Sequence, residues 1–317
     1  MSGQLPDGLS VALDRLLEGV SRRQLATRAE RLSKEYRQSR AAALRDPLDA
    51  IAYAVARMPA TFAAVSAALR WTLARQSQWQ PRSMLDLGSG PGTAIWAARE
   101  LLPSLATATA IERNPAMIEL ATACLDPRVE VTGIPSDLLD EQTMLPASDL
   151  VVAAYVLGEL NPSRLPGLVE RAFRATRGVL LLVEPGTPAG AHTIGVVRSQ
   201  LIAAGASILA PCPHSSPCPM VSPGWCHFPA RLGRTRAHMQ VKSAVVPFED
   251  EKFSYLAISR TPAAQDPAAR IVGSTHLSRA GVRFPVCRDG RIEELQILKR
   301  DDAAFRVARK HRWGDET

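Results

Sequence analysis

Four cysteines in the second half of the chain are the residues best suited to bind an inorganic centre. Cys212, Cys218 and Cys226 fall within fifteen residues of a proline-rich segment, and Cys287 follows about 60 residues later. Thiolates are soft ligands for iron or zinc, and the prolines exclude regular helix, so the segment can fold around a ligand. The gaps are long and uneven and contain no Cys-x-x-Cys pair, which favours a 4Fe–4S cluster over a zinc ribbon.

Zinc is the main alternative occupant of this segment. It would be held by the three clustered cysteines and either His214 or His227, which would leave Cys287 free. A simpler interpretation is that these are unrelated reduced thiols. Cys124 lies far from the others in the sequence, and we expect it to be a buried core residue.

A second group of residues with binding chemistry is the glycine-rich turn at 85–93, which reads Leu-Asp-Leu-Gly-Ser-Gly-Pro-Gly-Thr. Glycines allow the backbone to turn tightly and to approach a ligand closely. Glu112 ends the next predicted strand about 20 residues on, where a carboxylate would accept both ribose hydroxyls of a nucleotide-like ligand. A dinucleotide site would place its third glycine one position later, so a nicotinamide cofactor is disfavoured.

The pattern Asp-x-Gly-x-Gly-x-Gly resembles motif I of the class I methyltransferases, whose ligand S-adenosylmethionine carries no phosphate. The resemblance implies that Asp86 orders the loop around the methionine part of the ligand and that Glu112 binds the ribose. Asp137, after the third predicted strand, is the candidate adenine contact, or equally a helix cap before Leu138. The loop residues assigned to the cofactor are Gly88, Ser89, Gly90 and Gly92.

The elements that would position these residues alternate between apolar strands and helices. Strands are predicted at 84–87, 108–111, 129–132, 149–155 and 179–183, with helices at 93–102, 115–124 and 166–176. Apolar strands that alternate with helices indicate a parallel sheet covered on both faces. The fold class is therefore α/β, with the Rossmann-like sheet of a class I methyltransferase.

Three parts are predicted along the chain. Residues 1–80 form a helical N-terminal cap, in which Thr61 is expected to cap a helix at 62–76. Residues 81–210 form the S-adenosylmethionine-binding domain. Residues 211–317 hold the cysteine segment, strands at 255–259 and 270–277, a β-hairpin around Asp289-Gly290 and a basic tail.

No catalytic residue is predicted from the sequence. Amino-group methylases of nucleic acid usually carry Asn/Asp-Pro-Pro-aromatic after the fourth strand, where this chain reads Ala-Tyr-Val-Leu-Gly-Glu-Leu at 154–160. Carbon-5 cytosine methylases need a cysteine in that loop or after the fifth strand, and neither position has one. Tyr155 and Glu159 could face the methyl group, or could serve packing and capping.

The composition is that of a folded protein with a basic surface. The 317 residues carry a net charge of +7 and a sequence pI near 9.5, and arginine supplies most of the excess. Arginine grips phosphate bidentately and stacks on bases, so RNA is the expected partner, although a compositional bias would give the same totals. The basic residues concentrate after the cysteine segment (Arg231, Arg234, Arg236, His238, Lys242) and in the tail (Arg306, Arg309, Lys310, His311, Arg312).

Several short segments together resemble the ribosomal small-subunit methyltransferase-like family, which comprises mitochondrial ribosome assembly factors and their bacterial relatives. They are motif I, YVLGEL at 155–160, VEPGTP at 183–188, CPH at 212–214, WCHF at 225–228 and WGD at 313–315. The resemblance covers about residue 30 to the end. It implies S-adenosylmethionine binding, a 4Fe–4S cluster on Cys212, Cys218, Cys226 and Cys287, and association with small-subunit rRNA.

The expected function is therefore action on small-subunit rRNA during ribosome assembly, either as a methyltransferase or as an assembly factor that uses the fold for binding alone. The N-terminal segment is polar and charged, without the apolar run of a secretory signal, and the apolar stretch at 151–157 is too short to span a bilayer. We expect a cytoplasmic monomer with no membrane partner.

Overall fold

The computed structural model describes residues 4–37, 44–220, 224–242, 244–262 and 268–317. Its centre is an eight-stranded sheet formed by β1 (Ser83–Leu87), β2 (Thr107–Glu112), β3 (Glu130–Pro135), β4 (Ser148–Ala154), β5 (Thr176–Pro185), β6 (Ser207–Ala210), β7 (Phe228–Gly233) and β8 (Phe248–Ser259). The strand order is β3-β2-β1-β4-β5-β8-β6, with β7 also paired to β8.

The first five strands are parallel, and β8 runs antiparallel to its neighbours. Strands β1, β4 and β5 are nearly continuous apolar runs because both of their faces are covered. The predicted class I methyltransferase fold is confirmed. The sheet does cross the boundary expected at residue 210, because β8 inserts between β5 and β6 and so carries later sequence into the sheet.

Helices pack on both faces of this sheet. They are α4 (Thr93–Leu101), α5 (Pro115–Ala123), α6 (Leu165–Ala175) and α7 (Pro188–Ala203), and a 3₁₀ turn (Leu157–Glu159) follows β4. The short α8 (Arg236–Val241) packs instead against the N-terminal helical region. The two faces form separate apolar cores. Because the parallel strands share a direction, the loops after β1, β2 and β4 meet at one edge of the sheet, where a ligand can bind.

The N-terminal region is helical, as predicted, with α1 (Asp7–Leu16), α2 (Arg22–Arg37) and α3 (Pro47–Arg75). The expected helix start at Thr61 is wrong, because α3 runs unbroken through Pro59. The Asp46 carboxylate caps α3 by accepting the Asp49 amide at 3.0 Å. Burial of α3 against the sheet outweighs the hydrogen bond that a proline removes.

The helix α3 is long and apolar enough to cross a membrane, but 72% of its apolar 18-residue stretch is buried inside the protein. Among the described helices it is the one that meets this test. Its apolar surface is accounted for by packing against the sheet and against α4.

A second, four-stranded sheet follows, with β9 (Arg270–Ile271), β10 (His276–Leu277), β11 (Gly281–Arg288), β12 (Arg291–Leu298) and the helix α9 (Asp302–Ala308). The strand predicted at 270–277 is two short strands instead. The predicted hairpin is present: Asp289 and Gly290 have φ values of 47° and 76°, which a two-residue turn of this type requires.

Candidate functional site

The glycine loop connects β1 to α4 at the edge where the parallel strands end. The amides of Gly88 and Ser89 donate to the Ile111 carbonyl of β2, at 2.9 and 3.0 Å. Gly88 has a φ of 69°, and a Cβ there would lie 2.6 Å from Val156. The loop therefore needs glycine at this position for both its conformation and its close approach to the loop after β4.

Two carboxylates flank this loop. Asp86 is 1% exposed, and its Oδ2 atom has no hydrogen-bond partner among the described residues. Burial, with a smaller contribution from Glu112, raises the pKa of Asp86 to about 7. The Glu112 carboxylate accepts the Gly90 amide at 2.9 Å and the Asn114 amide at 2.8 Å, which fixes its position at the end of β2. A buried carboxylate oxygen without a partner is costly, so it indicates a place for a ligand donor.

The loop and its carboxylates line a pocket of about 1120 Å³, a volume that includes the part open to solvent. Of the predicted cofactor residues, the pocket contacts Asp86, Gly88, Ser89, Gly90, Glu112 and Asp137. Gly92 lies just outside the lining, where it caps α4 with a φ of 78°. Asp137 lines the pocket, and its Oδ1 accepts the Leu139 amide at 2.9 Å in a turn. No helix begins at Leu138 in the described structure, so the alternative role of Asp137 as a helix cap is wrong.

Other residues of the pocket were not predicted from the sequence. Tyr53, Met58 and Thr61 reach it from α3. Their helical spacing predicts only that one face of the helix is buried, and nothing in the sequence indicates that this face lines a binding pocket. Arg113 also lines the pocket and pairs with Asp137 at 3.2 Å.

The loop after β4 brings two further side chains to this pocket. Tyr155 has a φ of 59°, a conformation that a bulky side chain rarely adopts, and its hydroxyl donates to Glu251 at 2.9 Å. Glu159 follows at the end of the 3₁₀ turn and also lines the pocket. Both were named from the sequence without a role.

The four cysteines of the second region face one cavity of about 300 Å³. Cys212 and Cys218 come from the loop after β6, Cys226 comes just before β7, and Cys287 lies on β11. Cys124, predicted as a core residue, is buried elsewhere and its carbonyl accepts the indole N–H of Trp96. Tertiary structure therefore brings together the four cysteines that the sequence singled out.

Burial dominates the electrostatics of these thiols. It raises the pKa of Cys287 to about 12 and holds that of Cys226 well above its ordinary value, with further increases from the neighbouring thiols. The His214 Nε2 atom lies 3.3 Å from the Cys287 sulfur. Burial therefore favours the neutral form of the Cys226 and Cys287 thiols.

Two buried arginines that the sequence did not identify flank the cavity. Arg198 is 5% exposed and donates to the carbonyls of His214 and Ser216, each at 2.8 Å. Arg270 is 1% exposed and lines the cavity. Its guanidinium donates to three oxygens, which are the Pro211 carbonyl at 2.9 Å, the Gly314 carbonyl at 2.7 Å and the Glu316 carboxylate at 2.7 Å.

The cysteines do not form a compact set for one ion. In the part of the chain that the structure describes, no three His, Cys, Asp or Glu side chains lie close enough to hold a single metal ion. Tetrahedral zinc would draw its sulfur ligands to within about 4 Å of one another. The arrangement is therefore wider than a mononuclear site.

Comparison with protein families identifies the chain. The model of the family described as "Mitochondrial small ribosomal subunit Rsm22" matches residues 47–317, which include both pockets and all four clustered cysteines. The chain belongs to the Rsm22 family.

A curated relative and several solved structures are similar to this Rsm22-family chain. The human "Ribosome assembly protein METTL17, mitochondrial" is 30% identical over 289 residues, which are 84% of this chain and 61% of that protein. The plantazolicin methyltransferase BpumL, solved with SAH, shares 12% identity with a TM-score of 0.46, covering 76% of this chain and 98% of that one. The magnesium protoporphyrin IX methyltransferase ChlM from Synechocystis PCC 6803, solved with bound SAM, shares 15% identity with a TM-score of 0.42, covering 69% and 86%.

The two basic segments of this Rsm22-family chain are placed differently. After the cysteine segment, Arg231 pairs with Asp250 at 2.7 Å, while Arg234 and Lys242 both pair with Glu249. His238, expected there as a surface cation, is fully buried, and desolvation lowers its pKa to about 4. This segment is therefore largely neutralised.

The C-terminal segment keeps its charge exposed. Arg309, Lys310 and Arg312 are exposed and form no ion pair with any carboxylate in the described ranges, whereas Arg306 pairs with Asp302. Trp313, which was expected beside these cations as a base-stacking residue, packs on His227 with ring centroids 4.7 Å apart. The cations are thus available to phosphate, but the tryptophan is used internally.

Proposed function

We propose that this chain binds S-adenosylmethionine in the glycine-loop pocket, carries a 4Fe–4S cluster on its four clustered cysteines, and acts on small-subunit rRNA in the cytoplasm during ribosome assembly, as a methyltransferase. The observation that carries the proposal is the convergence of Cys212, Cys218, Cys226 and Cys287 on one cavity, in a chain whose glycine loop also lines a pocket at the edge of the sheet. Family membership supports the ribosomal role, since the human relative is named as a ribosome assembly protein.

The pocket residues fit S-adenosylmethionine. The Asp86 oxygen without a partner can accept the ligand's ammonium group, and Glu112 at the end of β2 can accept ribose hydroxyls. Asp137 lies in the loop after β3, where it can contact the adenine. The ligand supplies a methyl group that is activated by its sulfonium charge, while the chain's residues bind and orient it.

The cysteine cavity fits a multinuclear cluster better than one zinc ion. Thiols are soft ligands for iron, all four line this cavity, and a cluster takes its ligands at several metal atoms rather than at one. Metal-bound thiolates would bring negative charge into a buried place, where Arg198 and Arg270 can offset it. Zinc on the three cysteines of the proline-rich segment and either His214 or His227 is the second candidate occupant, and both histidines lie in that segment.

A bound cluster would crosslink the proline-rich segment to β11. Cys212, Cys218 and Cys226 belong to that segment, and Cys287 belongs to the sheet that precedes the exposed C-terminal cations. Cluster binding would therefore hold the RNA-binding surface in place, because the free energy of binding the cluster stabilises only the folded arrangement of its four ligands. This coupling predicts that loss of one ligand weakens both metal content and RNA binding.

The test of the cluster is metal analysis of a ligand variant. Protein purified without oxygen should contain about four iron and four sulfide per chain. Cys218→Ser should lose the iron and bind a small-subunit rRNA fragment more weakly, whereas Cys124→Ser, the same change at a buried cysteine outside the cavity, should keep both. Stoichiometric zinc without sulfide, or full RNA binding by Cys218→Ser, would overturn this part of the proposal.

A separate experiment tests methyl transfer, because two features of the loop after β4 favour a second candidate function. The loop after β4 lacks an amino-methylase signature, and the Tyr155 hydroxyl is already bonded to Glu251. An assembly factor that binds the ligand without transferring its methyl group fits that arrangement. Labelled S-adenosylmethionine and precursor rRNA decide between the two: incorporation supports the methyltransferase, and verified binding without incorporation supports the assembly factor.

A further inference from the structure

The lining of the glycine-loop pocket is unusually rich in carboxyl groups. Asp86, Glu112, Asp137 and Glu159 all face it, and Arg113 is the one cation among its lining residues. Arg113 pairs with Asp137 at 3.2 Å, so those two charges largely cancel. The other three carboxylates form no ion pair with a cation of the described pocket wall, although the field of Arg113 also reaches Glu159 and partly offsets the desolvation that raises its pKa to about 7.

These three carboxylates lie around the part of the pocket near β1 and β4. Strand β1 lies between β2 and β4, so Glu112 at the end of β2 is on one side of Asp86 and the loop after β4 is on the other. The Asp86 Oδ2 atom, buried and without a partner, marks this region as a place for a positively charged or donor group. With the ribose at Glu112 and the ammonium group at Asp86, as proposed above, the sulfur would lie between these two groups, in the pocket that Glu159 also lines.

Hydrogen bonds to a neighbouring strand fix the backbone turn that carries Glu159. The Glu184 carboxylate, at the end of β5 and 1% exposed, accepts the Leu157 amide at 2.8 Å and the Gly158 amide at 3.3 Å. A Cβ on Gly158 would lie 2.9 Å from that carboxylate, so the turn has little freedom to shift. Glu184 thus acts as a positioning residue that fixes the turn on which Glu159 is presented to the pocket.

A methyl donor and its product differ by one charge at the sulfur. S-adenosylmethionine has a sulfonium and S-adenosylhomocysteine has a neutral thioether, while the rest of the two molecules is the same. Carboxylates around the sulfur attract the first more strongly than the second, and the attraction is strongest where solvent is partly excluded. A pocket of this charge can therefore distinguish the two ligands.

We propose that Glu159 makes this pocket selective for the cationic methyl donor over its neutral demethylated product. The proposal rests on the proposed function in one respect, namely that the pocket binds S-adenosylmethionine. A protein with this selectivity would stay bound to the donor while the product accumulates, so its occupancy would report the amount of donor.

Calorimetric titration of the full chain tests the selectivity. The three probes are S-adenosylmethionine, S-adenosylhomocysteine and sinefungin, which has a primary ammonium group in place of the sulfonium. We expect the two cationic ligands to bind about tenfold or more tightly than S-adenosylhomocysteine. Glu159→Gln should reduce that ratio to about threefold or less, mainly by weakening the cationic ligands.

A matched control is available on α6. Glu170→Gln removes one carboxylate from an exposed position outside the pocket, and it should leave the ratio unchanged. Equal affinity of the wild-type protein for donor and product, or an unchanged ratio in Glu159→Gln with native circular dichroism, would overturn the selectivity alone. Binding of none of the three ligands would instead overturn the proposed cofactor as well, so the two failures are distinguishable.

Discussion

The segments 231–242 and 299–312 look equivalent in the sequence, because both concentrate arginine and lysine over a short stretch. In the fold they differ. The first runs from β7 into α8 beside β8, whose Glu249 and Asp250 neutralise most of its cations. The second ends the chain on the surface of the small sheet, where Arg309, Lys310 and Arg312 have no carboxylate partner among the described residues. Charge in a sequence therefore becomes charge available to RNA only where no acidic strand lies beside it.

The largest effect is expected from reversing charge in the second segment. The triple change Arg309→Glu, Lys310→Glu, Arg312→Glu should weaken binding to a small-subunit rRNA fragment by about 100-fold at low salt, because phosphate contacts carry most of the affinity. The slope of log affinity against log salt should fall by about 2 to 3. Fluorescence anisotropy across a salt series measures both, and an unchanged affinity would remove this segment from the RNA interface.

Arg270 connects the second segment to the cysteine cavity, so its replacement should have the next largest effect. Arg270→Met removes hydrogen bonds to Pro211, Gly314 and Glu316 and leaves the Glu316 carboxylate with the longer ion pair to Arg75, at 3.7 Å. The free energy of unfolding should fall by about 3 to 5 kcal/mol. Denaturant titration checks this, and Arg306→Met, an exposed arginine nearby, should change it by less than about 0.5 kcal/mol.

The first segment should respond in stability rather than in RNA binding. Arg234→Gln removes one of the two cations that hold Glu249, so we expect a loss of about 1 to 2 kcal/mol in stability and less than about a threefold change in RNA affinity. A loss of RNA affinity well above threefold would show that the first segment also binds RNA, and the contrast between the two segments would be wrong.

Acid titration sharpens the same contrast. Desolvation opposes ionisation of Glu249, but hydrogen bonds from Lys242 and Arg234 outweigh it and lower the pKa of that carboxyl. A folded-state pKa below the unfolded value contributes stability at neutral pH, and that contribution is lost as the pH falls through the folded-state pKa. Stability should therefore depend less steeply on pH below about 4.5 in Arg234→Gln than in the wild type, as measured by thermal unfolding.

The smallest effect should come from freeing a neutralised cation. Asp250→Asn releases Arg231, whose guanidinium already lies 4.4 Å from the centre of the exposed Phe248 ring. RNA affinity should rise by about twofold with little change in stability, since exposed ion pairs contribute under about 1 kcal/mol. An increase far above that would show that the first segment also faces RNA.

Much of the fold and of the candidate site follows from local sequence signals. The strand periodicity of 84–183 and the Asp289-Gly290 turn predicted elements that the structure contains, and the glycine loop lies where motif I placed it. The error at Thr61 arises because Pro59 is a strong local stop signal, whereas the continuity of α3 depends on packing against distant strands. Tyr53 in the pocket and Arg198 at the cysteine cavity were missed for a related reason, as neither residue has a signal in its own neighbourhood.

By itself the sequence determined which residue types are present, and so which kinds of ligand could be predicted: glycines and carboxylates for a nucleoside, thiols for iron or zinc, arginine for phosphate. Only the tertiary structure decided which of those residues lie together and which charges remain exposed. Burial and neighbours distant in the sequence set the partner of an ion and the pKa of a thiol, as Glu249 does for Arg234 and as burial does for Cys287.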